Sequence, residues 1–144
     1  MRADYGATGF LFHAESRKVL LHLRDHNAPV YPDSWSFFGG SNEVEDDGDP
    51  VTTWLRELRE ELGIVLHRDR AIPLSEGIFP RGKRRYAFYC AWPDLAEDFV
   101  LGEGQAFAWF DLADAVQLPA LTPVARQDLV MFQELLQSTK VFPV

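Results

Sequence analysis

Short apolar runs alternate with polar turns along the first part of the chain. Residues 7–13 ("ATGFLFH") and 19–24 ("VLLHLR") are apolar, aromatic or branched, and the polar turn "AESRK" separates them, so they read as two strands. A loop marked by Pro29 and Pro32 leads into "WSFFGG", read as one short strand ending in Gly39-Gly40, and an acidic loop follows from Ser41 to Gly48. The period then becomes helical. Val51, Leu55, Leu58 and Leu62 fall at i, i+4, i+7 and i+11 and make one apolar stripe. Asp49 is a suitable N-cap, Pro50 fits the first helical position, and Gly63 stands just past the end. "AIPLSEGIF" and "RYAFYCAW" read as strands joined by the basic turn "PRGKR", and "QAFAWF" as another, followed by one helical turn in "DLADAV". Thr122-Pro123 repeats the cap-and-proline signature and opens a last helix over 123–137, with Leu129, Phe132 and Leu136 at helical spacing. No repeat, linker or low-complexity tract interrupts this order, which predicts one α+β domain over 1–144.

Composition narrows the class. The length of 144 residues suits one core, and 47% apolar with 25% charged residues marks a folding chain rather than a disordered one. A formal net charge of -8 argues against an extended nucleic-acid surface held by basic residues. Small anionic ligands stay open, because a metal ion or a local Arg/Lys loop reverses the field. Cys90 is the single cysteine, which rules out an intrachain disulfide; its apolar run reads as a buried hydrophobe. No apolar stretch reaches the roughly 18 residues a membrane span needs, and "MRADYGATGF" lacks the apolar region of a leader. The expectation is a cytoplasmic protein without membrane contact. A homodimer is the general expectation for such a chain, although no residue marks an interface.

The helix carries an awkward charge pattern. At about 100° per residue, Glu57, Glu60 and Glu61 share an arc of about 100°, with Glu61 near the edge of the leucine stripe. The like-charge pairs at i,i+3 and i,i+4, and two acids in the last turn, work against the helix by on the order of 1–2 kcal/mol. Arg56 stands four residues before Glu60, the weaker order for such a pair. Two readings fit: a solvated acidic face, or oxygen ligands for a hard divalent cation, with the glycine turn offering a bare backbone carbonyl.

The residues "GG … RELREELGI" resemble the Nudix box, a glycine followed by Arg-Glu-apolar-x-Glu-Glu-x-Gly-apolar. Arg56, Glu57, Leu58, Glu60, Glu61, Gly63 and Ile64 match its second half at every position. The aromatics before Gly39-Gly40 and the order of elements match the family as well. The first half departs from it. Fifteen residues separate Gly40 from Arg56, a two-residue insertion, and Gly48 stands where the family has its first glutamate, leaving Asp46 or Asp47 to stand in for it.

The resemblance implies a Nudix-type α/β/α sandwich with a mixed β-sheet. It implies hydrolysis of the pyrophosphate bond in a nucleoside diphosphate linked to another moiety, with Mg²⁺ or Mn²⁺ as cofactor. By position, Glu57, Glu60 and Glu61 would hold metal, with the Gly40 carbonyl as a further ligand. Glu57 is alternatively the base for the attacking water, and Arg56 would pair with it. A later acid is expected to join them: Glu103 in "VLGEGQAFAW" is the first candidate and Glu76 in "LSEGIF" the second. Arg81, Lys83 and Arg84 in the basic turn are candidates for gripping distal phosphates. Arg24 is a candidate for the same cleft. Trp35 is a candidate for stacking on a base, with Phe37 and Phe38 beside it, and core packing is expected for at least two of the three. His13, His22, His26 and His67 show no mutual ligand spacing and receive no catalytic role. Two other functions compete: a catalytically silent nucleotide-binding module, and an isomerase on the same scaffold, which would need acid/base groups that Cys90 in its apolar run is poorly placed to supply.

Overall fold

The computed structural model describes residues 4–138. The first three residues of the stretch inspected for a leader lie outside them. Within the described residues the strands are β1 (Tyr5–His13), β2 (Lys18–Leu23), β3 (Trp35–Ser36), β4 (Phe38–Ser41), β5 (Ile72–Ile78), β6 (Arg84–Ala91) and β7 (Ala106–Asp111), and the helices α1 (Pro50–Leu62), α2 (Leu112–Ala115) and α3 (Pro123–Ser138). The strands form one sheet with a central path β3-β2-β1-β6-β5, to which β4 adds on β1 and β7 on β2. The pairs are antiparallel except for β1 and β6, which run parallel in register Tyr5↔Arg84 to Phe12↔Ala91. The sheet is therefore mixed, as the family resemblance implies.

Alternation along β1 and β2 sends side chains to two cores. Phe10, Phe12, Val19 and Leu21 pack on one face with Leu129 and Phe132 of α3. Ala7, Leu11 and Leu20 pack on the other with Trp54, Leu58 and Leu62 of α1. The sheet thus lies between two helical layers, and the fold is an α+β sandwich.

The capping signals of α1 operate as read. Asp49 accepts from the backbone N–H of Val51, Pro50 opens the helix, and Gly63 closes it at φ 72° with its N–H on the Arg59 carbonyl. The apolar stripe is rotated slightly: Trp54, Leu58 and Leu62 form its buried line, while Val51 and Leu55 are half-buried at its margin. Gly9 of β1 allows this packing, because a Cβ there would stand 2.6 Å from the Trp54 ring.

"WSFFGG" is not one strand. It divides into β3, paired with β2, and β4, paired with β1, because the chain switches partner at the buried Phe37. The switch lays Gly39 and Gly40 opposite Thr8 and Ala7 and brings both glycines under α1. Gly39 is obligatory there: at φ 149° an added Cβ would stand 2.1 Å from the Ala7 carbonyl oxygen. The acidic loop also acquires structure, a 3₁₀ turn at Val44–Asp46 that buries Asp46.

A carboxylate cluster at the end of the first helix

α1 places its acids in three different environments. Glu61 is buried, and its Oε1 accepts a hydrogen bond from the Gly39 N–H at 3.0 Å. Glu57 lies against Gly40 so closely that a Cβ on that glycine would meet Glu57 Oε2 at 2.6 Å. Glu60 turns outward, with half its side chain exposed, and accepts from Arg56 Nη1 at 3.2 Å.

A third carboxylate arrives from a loop. The last carbonyls of α1 have no partner within the helix. The segment before β7 supplies partners: the Val100 N–H bonds the Leu62 carbonyl and the Gly102 N–H bonds the Glu61 carbonyl. Gly102 is needed for this approach, since a Cβ there would stand 1.9 Å from the Glu60 carbonyl oxygen. Glu103 follows directly and reaches the helix acids. One carboxylate oxygen from each of Glu57, Glu61 and Glu103 lies within 4.8 Å of the others. Among the described residues this is the one such group of three or more acid, His or Cys ligands.

Electrostatics show the tension in this cluster. Burial, followed by the Glu57 and Glu103 carboxyls, pushes the Glu61 carboxyl far above the usual carboxylate range. Glu57 is also raised, first by burial and then by the Glu60 charge, although Glu61 and Arg56 pull it down. Three oxygen donors that close cannot all stay ionised without a cation or a proton between them. The donor set fits a hard divalent ion, which takes carboxylate oxygens.

Arg56 is the counterweight. It is buried, and its guanidinium donates to Asp46 from Nε (3.0 Å) and Nη2 (3.1 Å), to the Ser41 carbonyl, and from Nη1 to Glu57 Oε2 at 3.1 Å. The hydrogen bonds it donates to Asp46 lead in raising its affinity for its proton. Burial pushes the Asp46 carboxyl up, but bonds from Arg56, the Glu43 N–H and Thr53 outweigh it and hold it below the usual range. Asp46, two residues before Gly48, is therefore the buried acid of the loop that grips Arg56, with Glu43 Oε2 also at 3.5 Å from Arg56 Nη1; Asp47 is exposed.

A cleft of about 430 Å³ opens beside the cluster, its lining including Glu57, Glu61, Glu103, Gly40, His22, Arg24 and Phe37. Arg24 Nε is anchored on the Val30 carbonyl at 2.9 Å. Trp35 lies elsewhere: it packs edge-on against Phe110 at 4.8 Å in the core facing α3, held by backbone bonds to Ala120 and Thr122. It stands outside the cleft lining, whereas Phe37, buried against Phe10 in the same core, borders the cleft. Phe38 is fully buried under Trp54 and Leu58.

The basic turn divides too. Lys83 reaches the Ser41 hydroxyl at the cleft rim, whereas Arg84 lies over the Tyr86 ring and Arg81 is exposed at the hairpin tip. Arg85, the fourth base, is buried in a pair with Asp128 of α3. Glu76 is exposed on the edge strand β5 and is no member of the cluster. Sequence reasoning passed over His22, which lines the cleft, because its place depends on a residue 81 positions away.

A mixed sheet between helices, with carboxylates gathered where the first helix ends over a glycine strand, defines a Nudix-type fold. The NUDIX domain profile matches residues 4–132, and the chain belongs to the NUDIX family. Among curated proteins it is similar to the mouse (Mus musculus) diphosphoinositol polyphosphate phosphohydrolases 3-alpha and 3-beta. Each is 31% identical over 90 residues, which cover 61% of this chain and 54% of the relative. The chain thus spans about half the length of the curated relatives it matches. Among solved structures, the ORF135 protein of E. coli superposes with a TM-score of 0.72 at 24% identity, covering 99% of this chain and 96% of that one. The NUDIX domain of Shewanella oneidensis NrtR, solved with ADP ribose, superposes with a TM-score of 0.70 at 23% identity, covering 94% and 88%. Among the described residues no helix is long and apolar enough to cross a membrane.

Proposed function

We propose that this chain is a divalent-metal-dependent pyrophosphohydrolase acting on a nucleoside diphosphate linked to another moiety. One observation carries the reading: Glu57, Glu61 and Glu103 bring three carboxylate oxygens within 4.8 Å of one another at the wall of a cleft. These three would hold Mg²⁺ or Mn²⁺, with the Gly40 carbonyl as a further ligand and the half-exposed Glu60 as a candidate for a second ion. The bound ion supplies charge neutralisation at the phosphate oxygens and a more acidic water.

The chain's own groups do the rest. Arg56 holds Glu57 through Nη1, so that its carboxylate faces the cleft beside Gly40 and is placed to accept the proton of the attacking water. Arg24, in the lining of the same cleft, meets a phosphate. Lys83 at the rim, with Arg81 and Arg84 behind it on the turn, meets a distal anionic group. Family membership supports hydrolysis of a phosphoanhydride. The names of the curated relatives support a phosphorylated substrate without choosing nucleotide over inositol.

The test is a substrate panel with and without Mg²⁺: nucleoside triphosphates, ADP-ribose, nucleotide sugars, dinucleoside polyphosphates, capped RNA and a diphosphoinositol polyphosphate. Metal-dependent release of a nucleoside monophosphate supports the proposal. Tight binding without turnover of any of them contradicts it in favour of a silent binding module.

A further inference from the structure

We infer that His22 is a positioning residue for the carboxylate cluster: its imidazole holds the peptide of Glu103 and thereby sets where that carboxylate meets Glu57 and Glu61. The inference rests on the reading of Glu103 as a metal ligand.

His22 is the polar member of a strand whose neighbours Val19, Leu20 and Leu21 are wholly buried and apolar, and it is itself only 5% exposed. A buried imidazole costs stability unless its polar atoms are paired. Its ring stacks on Phe38, centroids 4.9 Å apart and planes within 17°. Its Nε2 donates to the Glu103 carbonyl at 2.7 Å. A carbonyl only accepts, so this nitrogen carries the hydrogen.

The geometry shows what the bond does. The Gly102 N–H is fixed on the Glu61 carbonyl, and the Gln105 N–H on the Leu23 carbonyl, both at 2.9 Å. Those anchors secure the ends of the segment. The peptide leaving Glu103 is secured between them by His22. Gly104 makes room for it: at φ 87°, an added Cβ would stand 2.0 Å from His22 Nε2. Ring and loop are in direct contact, with no space for a side chain. The Glu103 side chain is exposed, and the backbone beneath it defines where it can reach. An unanchored peptide would let the carboxylate wander, and a cation would have to order it on binding. Partners that orient a ligand in this way are worth roughly 10- to 100-fold in metal affinity.

The test titrates the full chain with Mn²⁺, followed by electron paramagnetic resonance, for the parent, His22→Phe, Glu103→Gln and the double variant, with thermal melts alongside. Phenylalanine preserves the stacking and removes the donor. The expected result is a loss of affinity of roughly 10-fold or more in each single variant, with the double variant no weaker than Glu103→Gln alone. His22→Gln, whose amide N–H reaches about as far as Nε2, is expected to restore most of the affinity. Should His22→Phe fail to fold, His22→Asn, with an amide too short for the carbonyl, takes its place. Parent-like affinity in the His22 variant, or a double loss equal to the product of the single losses, overturns the positioning role and leaves Glu103 a ligand. Unchanged affinity in Glu103→Gln overturns the ligand reading and the inference with it.

Discussion

Asp46 and Arg56 form a buried two-bond pair, Nε to Oδ1 at 3.0 Å and Nη2 to Oδ2 at 3.1 Å, that spans the irregular acidic loop and fixes the arginine against Glu57. Removing Asp46 takes two bonds from the buried guanidinium, which keeps Glu57, Glu60 and the Ser41 carbonyl as partners. Asp46→Ala is therefore expected to destabilise the protein by about 1–3 kcal/mol, read by denaturant unfolding. Asp47→Asn is expected to stay within about 0.5 kcal/mol, because that residue is exposed at φ 57°, a conformation asparagine tolerates. Equal effects at the two positions would contradict the assignment of Asp46 as the partner of Arg56.

Glu61 makes the metal-free protein sensitive to pH. Its folded carboxyl binds a proton more tightly than the unfolded one, through burial and then through Glu57 and Glu103. The native state therefore holds more protons, and stability falls as pH rises above the unfolded value of about 4.5. In chelator, Glu61→Gln is expected to raise the melting temperature at pH 8 and to change it little at pH 4, with a gain at pH 8 of at least about 1 kcal/mol, the worth of one pKa unit. Mn²⁺ should reverse the order, stabilising the parent more than the variant. A variant that melts lower than the parent at pH 8 in chelator contradicts the account.

Gly40 separates fold from chemistry. The atoms an added methyl would meet are the mobile end of Glu57, with Oε2 at 2.6 Å. Gly40→Ala should thus cost little stability, about 1 kcal/mol or less, while displacing the carboxylate and lowering kcat by roughly 10²-fold. Parallel melts and initial rates distinguish the two effects, and an unchanged rate would contradict the contact.

Glu57→Gln keeps the shape and removes the base. A rate loss of about 10²–10⁴-fold is expected if Glu57 takes the proton from water. An unchanged rate would remove that role and leave metal holding to Glu61 and Glu103.

What the sequence made legible was local. The ends of α1 follow from Asp49, Pro50 and Gly63, because each cap uses only its own turn. The gathering of acids on one side of α1 follows from helical periodicity. Periodicity does not separate Glu60 from Glu61: adjacent in sequence, one faces Arg56 and solvent and the other the Gly39 N–H, and that depends on where β4 lies. The same holds for His22, whose partner comes from a loop docked on the helix end, and for Asp46, which a 3₁₀ turn in the acidic loop brings onto Arg56 of α1. Trp35 shows the converse, since an aromatic beside the glycine pair gives no sign of which sheet face it takes.

The most direct measurement is an anomalous difference map from a crystal of this protein soaked in Mn²⁺ with a non-hydrolysable nucleotide. The account predicts a peak bounded by the carboxylates of Glu57, Glu61 and Glu103, with phosphate oxygens of the ligand against it. Manganese found only elsewhere, or a nucleotide seated away from those three side chains, would contradict it.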